Sequence, residues 1–151
     1  MSKTLEQRIK RHEGLRLKPY QDTLGYTTVG YGHKIISAAE RKKFANGITQ
    51  EQADNLFKDD LGAAWHYAIV SIGTTFHRLD TPQQEVIVEM IYQLGLKGVL
   101  KFKKMLNALD KGDYETAADQ MLDSLWHQQT PQRCEELSAI MRTRQQNEAV
   151  A

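Results

Sequence analysis

The chain has 151 residues, enough for one ordinary domain or for two small lobes sharing a core. Apolar residues make up 40% and charged residues 26%, a globular balance, and no stretch approaches the roughly 18 apolar residues a membrane span requires, so a disordered chain and a stable membrane association are both set aside. With 20 Lys and Arg against 19 Asp and Glu, the formal charge of +1 provides no field for nucleic acid, and a lone Cys134 excludes an internal disulfide.

The absence of CxxC or Cys/His spacing leaves no metal or other cofactor to expect. The opening Met1-Ser2-Lys3-Thr4-Leu5-Glu6-Gln7 has no apolar signal region, so synthesis in the cytosol is expected. A first helix over about 5–12 follows Thr4, which stands three residues before Gln7 as in a reciprocal cap. Between Leu15 and Ile36 the pattern turns β-branched and aromatic, punctuated by Pro19, Gly25, Gly30 and Gly32, and predicts short antiparallel strands with tight turns. Further caps at Ser37/Glu40, Thr49/Gln52 and Thr81/Gln84, with Pro82 behind the last, open helices over about 38–46, 50–72 and 82–94. Thr130-Pro131 repeats the proline device and opens a helix over 131–144, with others expected at 102–111 and 114–123. Gly14, Gly47, Gly73, Gly95 and Gly112 are the expected stops.

The segment 82–94 is apolar on most faces and should be a buried central helix. A helix over 50–72 would span roughly 30 Å, enough to connect two lobes and floor a cleft between them. The fold class is therefore α+β, mainly α. The expected division is an N-terminal lobe over 13–49, the connecting helix, and a helical lobe over 73–151 joined by the first helix.

Glu13 continues the Leu5/Ile9 stripe at the end of the first helix. A carboxyl there is either a partly desolvated general acid or a helix-terminal glutamate reaching into water. Asp22 stands nine residues on, where the strand turns, and is either a turn former or the second carboxyl of a glycoside-hydrolysing pair. Thr28 on the returning strand is an ordinary strand residue that could also hold a water against Asp22. Asp60 lies on the apolar face of the long helix, where its charge calls for a partner, and His33 is the natural one, which favours a structural histidine. Trp126 is expected in the core, and Lys101, Lys103 and Lys104 on a solvated face.

From Glu13 the chain reads Glu-Gly-Leu-Arg-Leu-Lys-Pro-Tyr-Gln-Asp-Thr-Leu-Gly-Tyr-Thr-Thr-Val-Gly-Tyr-Gly-His, ending at His33. The string resembles the active-site segment of phage lysozymes of the T-even type, glycoside hydrolase family 24. The resemblance continues through Leu56–Asp60, Tyr92–Gly95, Ser124–Trp126 and Gln129–Arg133, and so covers nearly the whole chain. It implies a two-lobed, monomeric, cofactor-free enzyme of phage or prophage origin acting on bacterial peptidoglycan, with a separate membrane-permeabilising partner, a holin, giving access to the wall. It also implies that Glu13 is the proton donor, that Asp22 and Thr28 position a water, and that Lys34, Tyr92, Met105 and Gln120 contact sugar. Lys34, Met105 and Gln120 depart from the family's leucine, serine and asparagine, and Tyr92 either stacks on a sugar or packs the core. Arg133 matches a family arginine lying across from the catalytic glutamate, or else is a surface charge. Two other functions compete. A lytic transglycosylase would need only one acid residue, so Asp22 and Thr28 speak against it; a silent wall-binding module using the same cleft is left open by the altered sugar contacts.

Overall fold

The computed structural model describes residues 3–144. They form two compact units, one up to Ala63 and the other from Ala64 onward, the division falling inside a helix.

The first unit begins with α1 (Lys3–Glu13), which buries Leu5 and Ile9 on the stripe that ends at Glu13. Thr4 lies within α1 and does not cap it. Gly14 (φ 72°) ends the helix by donating its N–H to the Lys10 carbonyl at 2.9 Å, a backbone conformation that suits a residue without Cβ. A three-stranded antiparallel sheet follows, in the order β1 (Arg16–Gln21), β2 (Thr27–Gly30), β3 (His33–Lys34). Pro19 is tolerated because β1 is an edge strand, and the ladder is irregular between Arg16 and Tyr20. Next come α2 (Ala38–Lys43) and α3 (Gln50–Tyr67). Ser37 caps α2 by accepting from the Glu40 N–H. Thr49 and Gln52 form the reciprocal pair the sequence predicts, each side chain accepting from the other's N–H. Val29, Ile35, Phe44, Ile48 and Ala53 make the apolar cluster that fastens sheet to helices.

The helix expected over 50–72 is not α throughout. After Tyr67 it widens into a π segment over Ala68–Ile72, and Gly73 closes it with an N–H bond back to the Ala68 carbonyl at 3.3 Å.

The second unit holds α4 (Thr74–His77), α5 (Thr81–Leu100), α6 (Lys103–Asp110), α7 (Tyr114–Leu122), α8 (Leu125–Gln129) and α9 (Pro131–Arg142). The short α4 and α8 escaped the sequence reading. The cap of α5 sits one residue earlier than expected: Asp80 accepts from the Gln83 N–H at 2.9 Å while Gln83 reaches back to the Asp80 N–H. The predicted stop at Gly95 is a break (φ 78°, ψ 160°), beyond which helical turns resume to Leu100. As expected, α5 is buried along much of its length, through Val86, Ile87, Val88, Met90 and Ile91. It also buries Gln83, Glu85 and Glu89, which the apolar pattern does not announce. Trp126 packs in the core, donating to Gln93 Oε1 at 2.9 Å, and Cys134 is a buried thiol whose pKa burial pushes up to about 12. No helix among the described residues is long and apolar enough to cross a membrane.

Candidate active site

In the first unit the sheet register sorts the side chains. Tyr20 pairs with Thr28 and Thr28 with Lys34, so these three share one face; Val29 and His33 pair on the other, where Val29 joins the core. Asp22 lies just past the end of β1, and its N–H bonds the Tyr26 carbonyl at 2.9 Å.

Asp22 is a turn former, and its geometry leaves room for more. Its Oδ1 accepts from the N–H groups of Leu24 (2.9 Å) and Tyr26 (2.8 Å), an Asx turn that tightens the β1–β2 connection. A carboxylate has further lone pairs on Oδ2, and the residue is only half-buried. Thr28 is buried, and its hydroxyl donates to the Tyr26 carbonyl at 2.9 Å. Its proton is thus committed, and what it offers a water is an acceptor.

Glu13 is half-buried at the end of α1, and its carboxyl lies against the backbone of Gly32 in the β2–β3 turn. Tyr20, which the sequence reading passed over, senses both acids. Its phenol is held above the usual range first by burial, then by the Glu13 carboxylate, with Asp22 adding to the effect and Arg16 opposing it. The Arg16 guanidinium stacks 4.3 Å above the Tyr20 ring. Lys34 stands 4.7 Å over the Tyr26 ring.

His33 is held from both sides: Nδ1 lies 2.8 Å from Asp60 Oδ2 and Nε2 lies 3.0 Å from Glu40 Oε1. The Asp60 hydrogen bond outweighs the opposing burial, the Glu40 bond adds to it, and the pKa rises from 6.5 to about 9, so both ring nitrogens donate at neutral pH. Pairing with Asp60 agrees with the sequence reading. Glu40 was assigned only to a helix cap, and Asp60 is a third exposed, less buried than its position on the stripe suggested.

The other expected site residues belong to the second unit. Tyr92 on α5 and Gln120 on α7 are half-buried. Met105 has no exposed surface; it lies on the apolar face of α6 with Ala108 and Leu109, so the expected sugar contact there gives way to a core role. Nor is Arg133 a surface charge. It is buried, and its Nε donates to the fully buried Glu89 at 2.9 Å. Among the described residues no group of three or more His, Cys, Asp or Glu could hold a metal.

A mainly helical chain with a small antiparallel sheet, carrying one carboxyl at the end of α1, one in the β1–β2 turn and a threonine on β2, is the class of protein that the fold and these residues define. The phage lysozyme family model matches residues 10–148. The chain is 29% identical to the probable T4-type lysozyme 1 of Dictyostelium discoideum, over 95% of this chain and 96% of that protein. It is 34% identical to the endolysin of Salmonella phage P22, over 79% of this chain and 77% of the endolysin. The same identity holds to the pre-baseplate central spike protein Gp5 of Enterobacteria phage T4, over 93% of this chain but 28% of that larger protein. The chain belongs to the phage lysozyme family.

Proposed function

We propose that the chain is a muramidase that hydrolyses the β-1,4 bond between N-acetylmuramic acid and N-acetylglucosamine in bacterial peptidoglycan. The carrying observation is that, in a member of this family, Thr28 pairs with Tyr20 across the sheet and the Tyr20 phenol feels the charge of both Glu13 and Asp22. In the reaction, Glu13 gives its proton to the leaving glycosidic oxygen as the C–O bond breaks. A water donates one hydrogen bond to Asp22 Oδ2 and one to Thr28 Oγ1, so its lone pair points away from both and toward the anomeric carbon. Asp22 takes the proton as the new C–O bond forms. Attack from the face opposite the leaving group inverts the anomeric centre. Lys34, Tyr92 and Gln120 serve as sugar contacts.

Two measurements on one digest of purified peptidoglycan test this. Mass spectrometry should find reducing muramic ends carrying the elements of water. A product lacking that water would make the chain a lytic transglycosylase, and intact glycan a wall-binding module. NMR of freshly released ends should show the α anomer, and an initial β anomer would overturn the water geometry. Glu13→Gln should lose more than about 100-fold in rate while keeping its fold, because the amide cannot donate the required proton; near wild-type lysis of permeabilised cells would remove Glu13 from the role.

A further inference from the structure

Glu13 ends α1, which fixes its backbone, but three side-chain torsions still separate the carboxyl from the chain. Something must choose among the rotamers. Gly32, with φ +77°, lies in the turn between β2 and β3, and a Cβ built there would stand 2.8 Å from Glu13 Cδ, 3.4 Å from Cγ and closer still to Oε1. The carboxyl of Glu13 therefore fills the space that any side chain at position 32 would need. No other glycine of positive φ is backed by a carboxyl: at Gly14, Gly25, Gly73, Gly95 and Gly112 the same space is open, and Gly30 and Gly47 meet apolar, backbone or lysine atoms.

We infer that Gly32 is a positioning residue, its bare backbone being the seat on which the acid carboxyl rests. The inference depends on the reading of Glu13 as proton donor. Gly32 belongs to the same β2–β3 hairpin as Thr28, so this seat ties the proton-donating side of the reaction to the strand that carries the water-holding side. Because the group in the way is the tip of a flexible side chain, a methyl at position 32 pushes the carboxyl aside at modest cost to the fold. The cost falls on the chemistry: a displacement of roughly 1 Å at a reacting group costs on the order of 100-fold in rate.

The test compares Gly32→Ala with Gly73→Ala, which puts an alanine at a similar positive φ with nothing within 4 Å. Whatever melting temperature each loses to its positive φ, only Gly32→Ala should lose kcat on peptidoglycan, by about 100-fold with KM unchanged. A kcat within about twofold of Gly73→Ala would overturn the seat. Should Gly32→Ala fail to fold, NMR of the unsubstituted protein decides. The Gly32 α-proton shifts should move in Glu13→Gln by more than those of Gly73, and shifts indifferent to that substitution would overturn the contact. An active Glu13→Gln, by contrast, would overturn the acid assignment itself, whatever the Gly32 result.

Discussion

Asp22 commits one oxygen to the turn and leaves the other to the proposed reaction. Oδ1 closes the turn through the Leu24 and Tyr26 N–H groups, and Oδ2 is the oxygen the proposed reaction uses. An asparagine keeps the first of these, since it supports the same Asx turn, and loses the negative charge of the second. Asp22→Asn should therefore melt within about 1 kcal/mol of the parent and lose about 100-fold or more in hydrolysis. Thermal unfolding beside a lysis assay on permeabilised cells checks both halves, and retained lysis would leave Asp22 a turn residue only. At this scale the sequence offers candidates where the residues are local. Glu13, Asp22 and Thr28 lie within one short string, and a resemblance can be carried over it residue by residue. It was silent where the reason is a contact in space. Nothing in the spacing tells that Gly32 faces Glu13, that Tyr20 senses two acids, or that Met105 points into the interior.

Caps and stops are written in three or four consecutive residues, which is why Ser37, Thr49 and the stops at Gly14, Gly73 and Gly112 were legible, whereas α2 ends before Gly47, at Lys43, and helical turns resume beyond Gly95. The start of α5 shows the limit of that legibility. Two cap patterns overlap there, and Asp80/Gln83 forms in place of Thr81/Gln84 because the carboxylate accepts from the N3 N–H while Gln83 completes the box. The π widening after Tyr67 has no periodic signature, since the apolar pattern continues through it. Along α5 the larger surprise is Glu89, fully buried beside Arg133 of α9. An acidic residue in an apolar stretch reads as an interruption until its partner, 44 positions away, is known. Removing one member of a buried ion pair strands the other without compensation. Glu89→Leu should thus cost about 3–5 kcal/mol, whereas Glu89→Leu with Arg133→Met should recover most of it. Urea unfolding of the three proteins decides, and a double variant no more stable than the single one would show that the pair is not what ties α5 to α9.

Across the first unit, His33 is the point where three elements meet: it stands on β3, Asp60 comes from α3 and Glu40 from α2. The sequence located one of these contacts because Asp60 sat where a charge needs a partner. It could not locate the second, because the Glu40 carboxylate was free to turn back onto its own helix cap. The consequence is a pH dependence of the whole unit. The folded pKa of His33, about 9, lies above the unfolded value of 6.5, so folding binds the proton more tightly and the imidazolium is the stabilising form. The contribution is complete below pH 6.5 and drains away as pH rises through 9. Its full size is on the order of 2–3 kcal/mol, taken at the low side because both carboxylates are about a third exposed and salt-screened. Urea unfolding at constant ionic strength should therefore show stability falling between neutral pH and pH 9.5 by about that amount. Asp60→Asn should remove most of the slope and Glu40→Gln a smaller part, since the Asp60 hydrogen bond is the largest contribution to the shift. A slope that survives Asp60→Asn unchanged would mean that another group governs alkaline stability and that the tie among β3, α2 and α3 is made by packing alone.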